Sequence, residues 1–158
     1  MDKLLQLGDI CVTRNSPEDG NPTLGYWNHG SVFIGKGIVE ARQKYNSVVL
    51  SEFDEFWERY PQISVMRWTH KVDVENVGEK ASRSAELLIG KPYLYISSII
   101  PAVVGLFTDL GENCVSVPRH AYANTLGFDP GWHIPDNIVF DRRLMRVLLK
   151  GDVESQEV

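Results

Sequence analysis

The sequence predicts an α+β domain, with an antiparallel sheet or small barrel and helices packed on it. Three observations support this. Short runs rich in β-branched and aromatic residues recur along the chain. Helical patterns fall among them without the regular alternation of a parallel sheet. Two of the runs are joined by Gly35-Lys36-Gly37, a hairpin signal.

The first strand is expected over 9–13, Asp-Ile-Cys-Val-Thr, and a turn-rich loop follows over 14–25. Strands over 28–34 and 38–42 form the hairpin, and a short strand is expected over 47–50. A short helix over 52–60 stops at Pro61, and 63–68 reads as a strand. Over 74–89, Val77, Ala81, Ala85 and Leu88 lie near one helical face, and Gly90 and Pro92 stop the helix. Residues 93–112 are aromatic and apolar. A helix over 114–126 ends at Gly127. Pro118 would remove a hydrogen bond from a helix starting at Cys114, which points to a regular start near Ser116. Strands are expected over 137–140 and 144–149, with a frayed tail.

Length and composition suit one domain over residues 1–158, long enough to bury a core without staples. The net charge of -5 argues against a nucleic-acid binder, because no basic stripe neutralises a row of phosphates. Two distant cysteines, Cys11 and Cys114, do not make a disulfide framework, and no His/Cys cluster has zinc spacing. No metal or nucleotide motif is present, so no cofactor is expected. The N-terminus lacks the apolar stretch of a signal peptide, and the longest apolar run, Leu94 to Phe107, is too short to span a bilayer. The expectation is a cytoplasmic protein; an unconventional export route or a phage-associated location would also fit.

Cys114 follows Gly111-Glu112-Asn113 and precedes a helix, where the positive end of the helix dipole favours the thiolate. A thiolate nucleophile needs a base. Of His29, His70, His120 and His133, only His29 sits inside an otherwise apolar strand, where its ring needs a partner. Glu40 is an acid inside the second strand of the hairpin. A two-residue turn puts Glu40 opposite Ser31 or Phe33, on the His29 face; an uncompensated three-residue turn puts the two on opposite faces. On one face, the carboxylate can hold one ring nitrogen while the other is aimed at Cys114.

The ordered set Gly8-Asp9-Ile10, His29-Gly30-Ser31-Val32-Phe33-Ile34-Gly35, Val39-Glu40-Ala41, Val65-Met66-Arg67, Leu88-Ile89-Gly90-Lys91-Pro92-Tyr93, Asn113-Cys114-Val115-Ser116 and Pro135-Asp136-Asn137-Ile138 resembles the NlpC-type papain-like cysteine peptidases. More specifically, it is similar to their circularly permuted branch, the YiiX-like proteins and relatives of lecithin:retinol acyltransferase, in which the histidine strand precedes the cysteine helix. The resemblance covers about residues 8–149 and implies a permuted papain-like fold. It also implies a Cys114 nucleophile, a His29 base and Glu40 as third member. The residues following His29 and Cys114 depart from the common pattern, which bears on the substrate.

The leading expectation is hydrolysis of an amide bond in a peptide or peptidoglycan-like substrate through a thioacyl intermediate, with Tyr26, Trp27, Tyr93 and Tyr95 as substrate contacts. One alternative is a lipid acyltransferase or thioesterase on the same triad, with residues 94–107 as an acyl wall or peripheral membrane contact. Another is a non-catalytic binding or structural module.

Overall fold

The structure, a computed structural model, describes residues 4–14, 26–92 and 115–151. Among these, six strands form one open antiparallel sheet: β1 (Ile10–Arg14), β2 (His29–Phe33), β3 (Ile38–Arg42), β4 (Ser47–Ser51), β5 (Gln62–Trp68) and β6 (Leu144–Lys150). Their spatial order is β4-β3-β2-β1-β5-β6, so β4 and β6 are the outermost strands and the sheet does not close into a barrel; residues 90–92 bond to the start of β4. Four helices accompany it: α1 (Phe53–Arg59), α2 (Val77–Glu86), α3 (Ser116–Leu126) and α4 (Pro135–Val139).

Most expected elements are present, with one change. Residues 137–140, expected as a strand, instead form the end of α4 and its C-cap, Phe140. Pro135 occupies its first turn, where a missing N–H costs nothing. The Asn137 side chain accepts hydrogen bonds from the N–H groups of His133 and Ile134. A short apolar run such as Ile138-Val139 carries no period of its own, so these local caps decide it. Helix α3 begins at Ser116, the start that Pro118 points to. Pro118 is then the third helical residue, among the first four N–H groups that have no intrahelical acceptor.

The register divides the sheet into two faces. Ile10 pairs with Val32 and Met66, and Val32 with Val39. These residues share one face with Val12, Ala41 and Val48, and they pack with Ala85 and Leu88, with Val117, Ala121 and Tyr122 of α3, and with Ile138 of α4. Cys11, Ser31, Glu40 and Val65 occupy the opposite face, since Cys11 pairs with Ser31 and Val65, and Ser31 with Glu40. That face is covered by α1, through Phe56 and the adjoining Tyr60.

The backbone makes a close approach where α2 meets the turn before β1. A Cβ on Gly78 would lie 2.4 Å from the Leu7 carbonyl oxygen, and one on Gly8, at φ +82, would lie 2.3 Å from that of Gly78. Gly78→Ala should therefore destabilise the protein by about 2 kcal/mol, although helix propensity alone favours alanine by about 1 kcal/mol. Urea unfolding checks the sign. A stabilised variant would mean that the two backbones are not in contact.

Candidate active site

The β2–β3 hairpin turns through two residues, Gly35 and Lys36, closed by the Ile34 N–H donating to the Gly37 carbonyl at 2.9 Å. Gly35 has φ +84, which glycine adopts without a steric penalty. This loop length sets Ser31 opposite Glu40. Side chains alternate along each strand, so His29, Ser31 and Glu40 share a face. The His29 Nε2 lies 2.8 Å from the Glu40 Oε2, and the side chains are 2% and 0% exposed.

Three further donors converge on the same carboxylate. Ser51 Oγ on β4 donates to Oε1 at 2.5 Å, Arg59 Nη1 donates to Oε1 at 2.7 Å, and the Tyr60 hydroxyl donates to Oε2 at 3.1 Å. The Tyr60 ring also stacks on the His29 ring, with centroids 5.5 Å apart and planes 16° from parallel. Local sequence places it there. Pro61 disfavours helical backbone at the preceding residue, so α1 ends and Tyr60 is extended at φ -101, ψ 118. Burial by itself pushes the Glu40 carboxyl up. The hydrogen bond and charge of His29, with Ser51 and Arg59, outweigh it and hold the group down to about 2.

The other expected site residues fall in several places. Cys114, Tyr93 and Tyr95, with the segment 94–107, lie outside the described residues. Tyr26 is half-buried, its hydroxyl 3.1 Å from Gln62 Oε1 and its ring under the Arg14 guanidinium. Trp27 is buried in the core with Trp132 and Tyr122, so it packs the interior rather than facing solvent. His70 and His133 are exposed, and His120 is half-buried on α3. Cys11 is buried on the His29 face. Burial, with the charges of Asp9 and Glu40, raises its thiol pKa far above the ordinary range. It is therefore an inert thiol at neutral pH.

The helix that follows Cys114 in sequence packs on the face opposite the His29–Glu40 pair. It runs antiparallel to α2. Val117 clusters with Ala85 and Leu88 near the start of β4, and the Tyr122 hydroxyl donates to the Gly8 carbonyl, just before β1, at 2.8 Å. Its first turn therefore lies at the end of the sheet where β2 begins with His29.

Sequence reasoning did not find Ser51, Arg59 or Tyr60. Tyr60-Pro61 carries a local signal, but only the helix stop is readable from it. Thr13, opposite His29 on β1, was also missed. It is fully buried, and its hydroxyl has no hydrogen-bond partner among the described residues.

Comparison of the chain with protein-family models, with characterised proteins and with solved structures returns no match. Among the described residues, no group of three or more His, Cys, Asp or Glu side chains is placed to hold a metal ion. No described helix is long and apolar enough to cross a membrane.

A carboxyl held lower in the folded protein than in the unfolded chain stabilises the fold above its unfolded value. That contribution disappears as pH falls through the folded value. For Glu40 the window runs from about 4.5 down to about 2. Glu40→Gln should cost on the order of 3 kcal/mol near neutral pH, with the difference from the parent shrinking across that window. Urea titrations of both proteins at several pH values measure it, and a pH-independent difference would remove the carboxylate's charge from the account.

Proposed function

We propose that the protein is a cysteine-nucleophile hydrolase acting on an amide bond in a peptide or peptidoglycan-like substrate. Cys114 is the nucleophile, His29 the general base and Glu40 the group that orients the ring. The observation that carries the reading is the 2.8 Å contact between Glu40 and the Nε2 of a histidine buried in a sheet. An acid–histidine pair of this kind fixes ring orientation and tautomer, the role of the third member of a catalytic triad. With Nε2 engaged, Nδ1 is the nitrogen assigned to the thiol.

In this scheme His29 takes the Cys114 proton as sulfur bonds to the substrate carbonyl carbon. The same proton then passes to the leaving amine as the C–N bond breaks, giving a thioacyl enzyme. Water, deprotonated by His29, attacks that carbonyl, and the acid and free thiol are released. The resemblance to permuted papain-like proteins supports the same roles. The lipid acyl alternative rests on residues 94–107, so acyl esters belong in the substrate panel beside peptides.

One observation favours a second reading. His29 and Glu40 lie on the sheet face under α1, and the helix following Cys114 packs on the other face. A buried polar cluster can pin α1 to the sheet without doing chemistry, and the domain is then a binding or structural module.

Iodoacetamide labelling across a pH series, with mapping of the modified thiol, separates the two readings. Cys11 is buried and serves as the unreactive internal reference. Catalysis predicts rapid labelling of Cys114 near neutral pH, slowed about tenfold in His29→Gln. A Cys114 that reacts like an ordinary thiol, indifferent to His29, favours the structural module.

A further inference from the structure

We propose that Arg59 is a positioning residue that keeps His29 a neutral base by taking up the charge of Glu40. The inference deepens the proposed function and takes from it the role of His29 as base.

The two oxygens of Glu40 are divided between two sets of donors. Oε2 faces His29 and the Tyr60 hydroxyl, and Oε1 faces Arg59 and Ser51. Arg59 is itself 8% exposed. Its other nitrogen, Nη2, reaches outward to the carboxylate of Glu55, four residues earlier on α1 and largely exposed. The guanidinium therefore spans from a buried anion to a solvated one.

Charge counting gives the consequence. With a neutral ring, Glu40 and Arg59 cancel and the buried cluster carries no net charge. With an imidazolium, the same cluster carries one uncompensated positive charge away from water, which is costly. A bare histidine–carboxylate pair has the opposite preference, because the carboxylate then favours the protonated ring. Arg59 is what separates the two cases.

Among the described residues, the other groups facing the pair do not reverse the count. On β1, Cys11 is a neutral thiol and Thr13 a hydroxyl. On β4, Ser51 is neutral, and just after α1 Tyr60 is a phenol donating to Glu40. Arg42 on β3 adds positive charge, 4.0 Å from Glu55 and against the Tyr45 ring, and so further disfavours the imidazolium. Glu55 is exposed, and water screens its charge.

The neutral state suits a general base. A neutral ring accepts the thiol proton as the nucleophile attacks, and Glu40 then stabilises the imidazolium that forms.

Nitrogen NMR of the imidazole tests the proposal directly. In the parent protein near pH 7 the His29 ring should show the shifts of a neutral tautomer; an imidazolium there overturns the proposal. In Arg59→Gln and Arg59→Met the His29 titration midpoint should rise by about one pH unit, and Arg59→Lys should restore most of the parental value. Tyr60→Phe, which removes a donor without removing a charge, should leave the midpoint close to the parent's. An unmoved midpoint in a folded neutral variant, verified by circular dichroism, also overturns the proposal. No readout uses Cys114, so a failed alkylation test of the catalytic reading remains a separate result.

Discussion

A carboxylate sealed inside a sheet is tolerable only when donors replace all the water it has lost. Glu40 meets that condition with four side chains from three elements, His29 on β2, Ser51 on β4, and Arg59 with the adjoining Tyr60 at the end of α1. Much else follows from satisfying it. The hairpin loop has two residues because a one-residue slip would turn Glu40 to the apolar face. Because Pro61 ends α1, its last residue and the next one both reach the carboxylate. Partial satisfaction would leave a buried charge, so the cluster specifies the register of β2, β3 and β4 together.

The two sheet faces consequently differ in kind. The face under α2, α3 and α4 is packed by aliphatic and aromatic groups. The face under α1 mixes an apolar patch, including Phe33, Ile38 and Val65, with the polar cluster. The same environment acts oppositely on two acids. Glu40 is surrounded by donors and held as an anion, whereas Cys11, on β1 with Ser31 of β2 between the two, is held as a thiol by burial and by the charges of Asp9 and Glu40. Proximity to a histidine does not by itself activate a cysteine; the sign of the local charge and access to solvent decide it.

How much of this was legible in the sequence varied with the range of the interaction. The Gly35-Lys36-Gly37 hairpin and the shared face of His29 and Glu40 were readable, because loop length and alternation are local rules. The register choice between Ser31 and Phe33 was not. It is settled by whether Gly35 or Gly37 takes the positive φ, and by what Glu40 meets beyond the hairpin. The α2 stop at Gly90 and Pro92 was visible, as was the effect of Pro118 on the start of α3. Residues 137–140 were misread because a three-residue apolar run has no period, and the decisive caps came from Pro135 and Asn137. Arg59 and Tyr60 were invisible as site residues. They lie about twenty positions from Glu40 in sequence, and only packing α1 across the sheet brings them to it.

Position along the strand matters as much as face. His29 is the first residue of β2, and β1 ends beside it with Thr13 and Arg14. Helix α3 begins at this same end of the sheet, as its antiparallel course along α2 shows. The interior of the sheet separates its two faces by a full layer of backbone, but at the end of a strand that separation stops. The proposed attack on substrate therefore requires Cys114, two residues ahead of α3, to meet the ring around the end of β2. On β1, Thr13 lies opposite His29, and its buried hydroxyl has no hydrogen-bond partner among the described residues. A structural pin for α1 makes no such demand: it needs the histidine on the carboxylate and is indifferent to which end of the sheet α3 starts from.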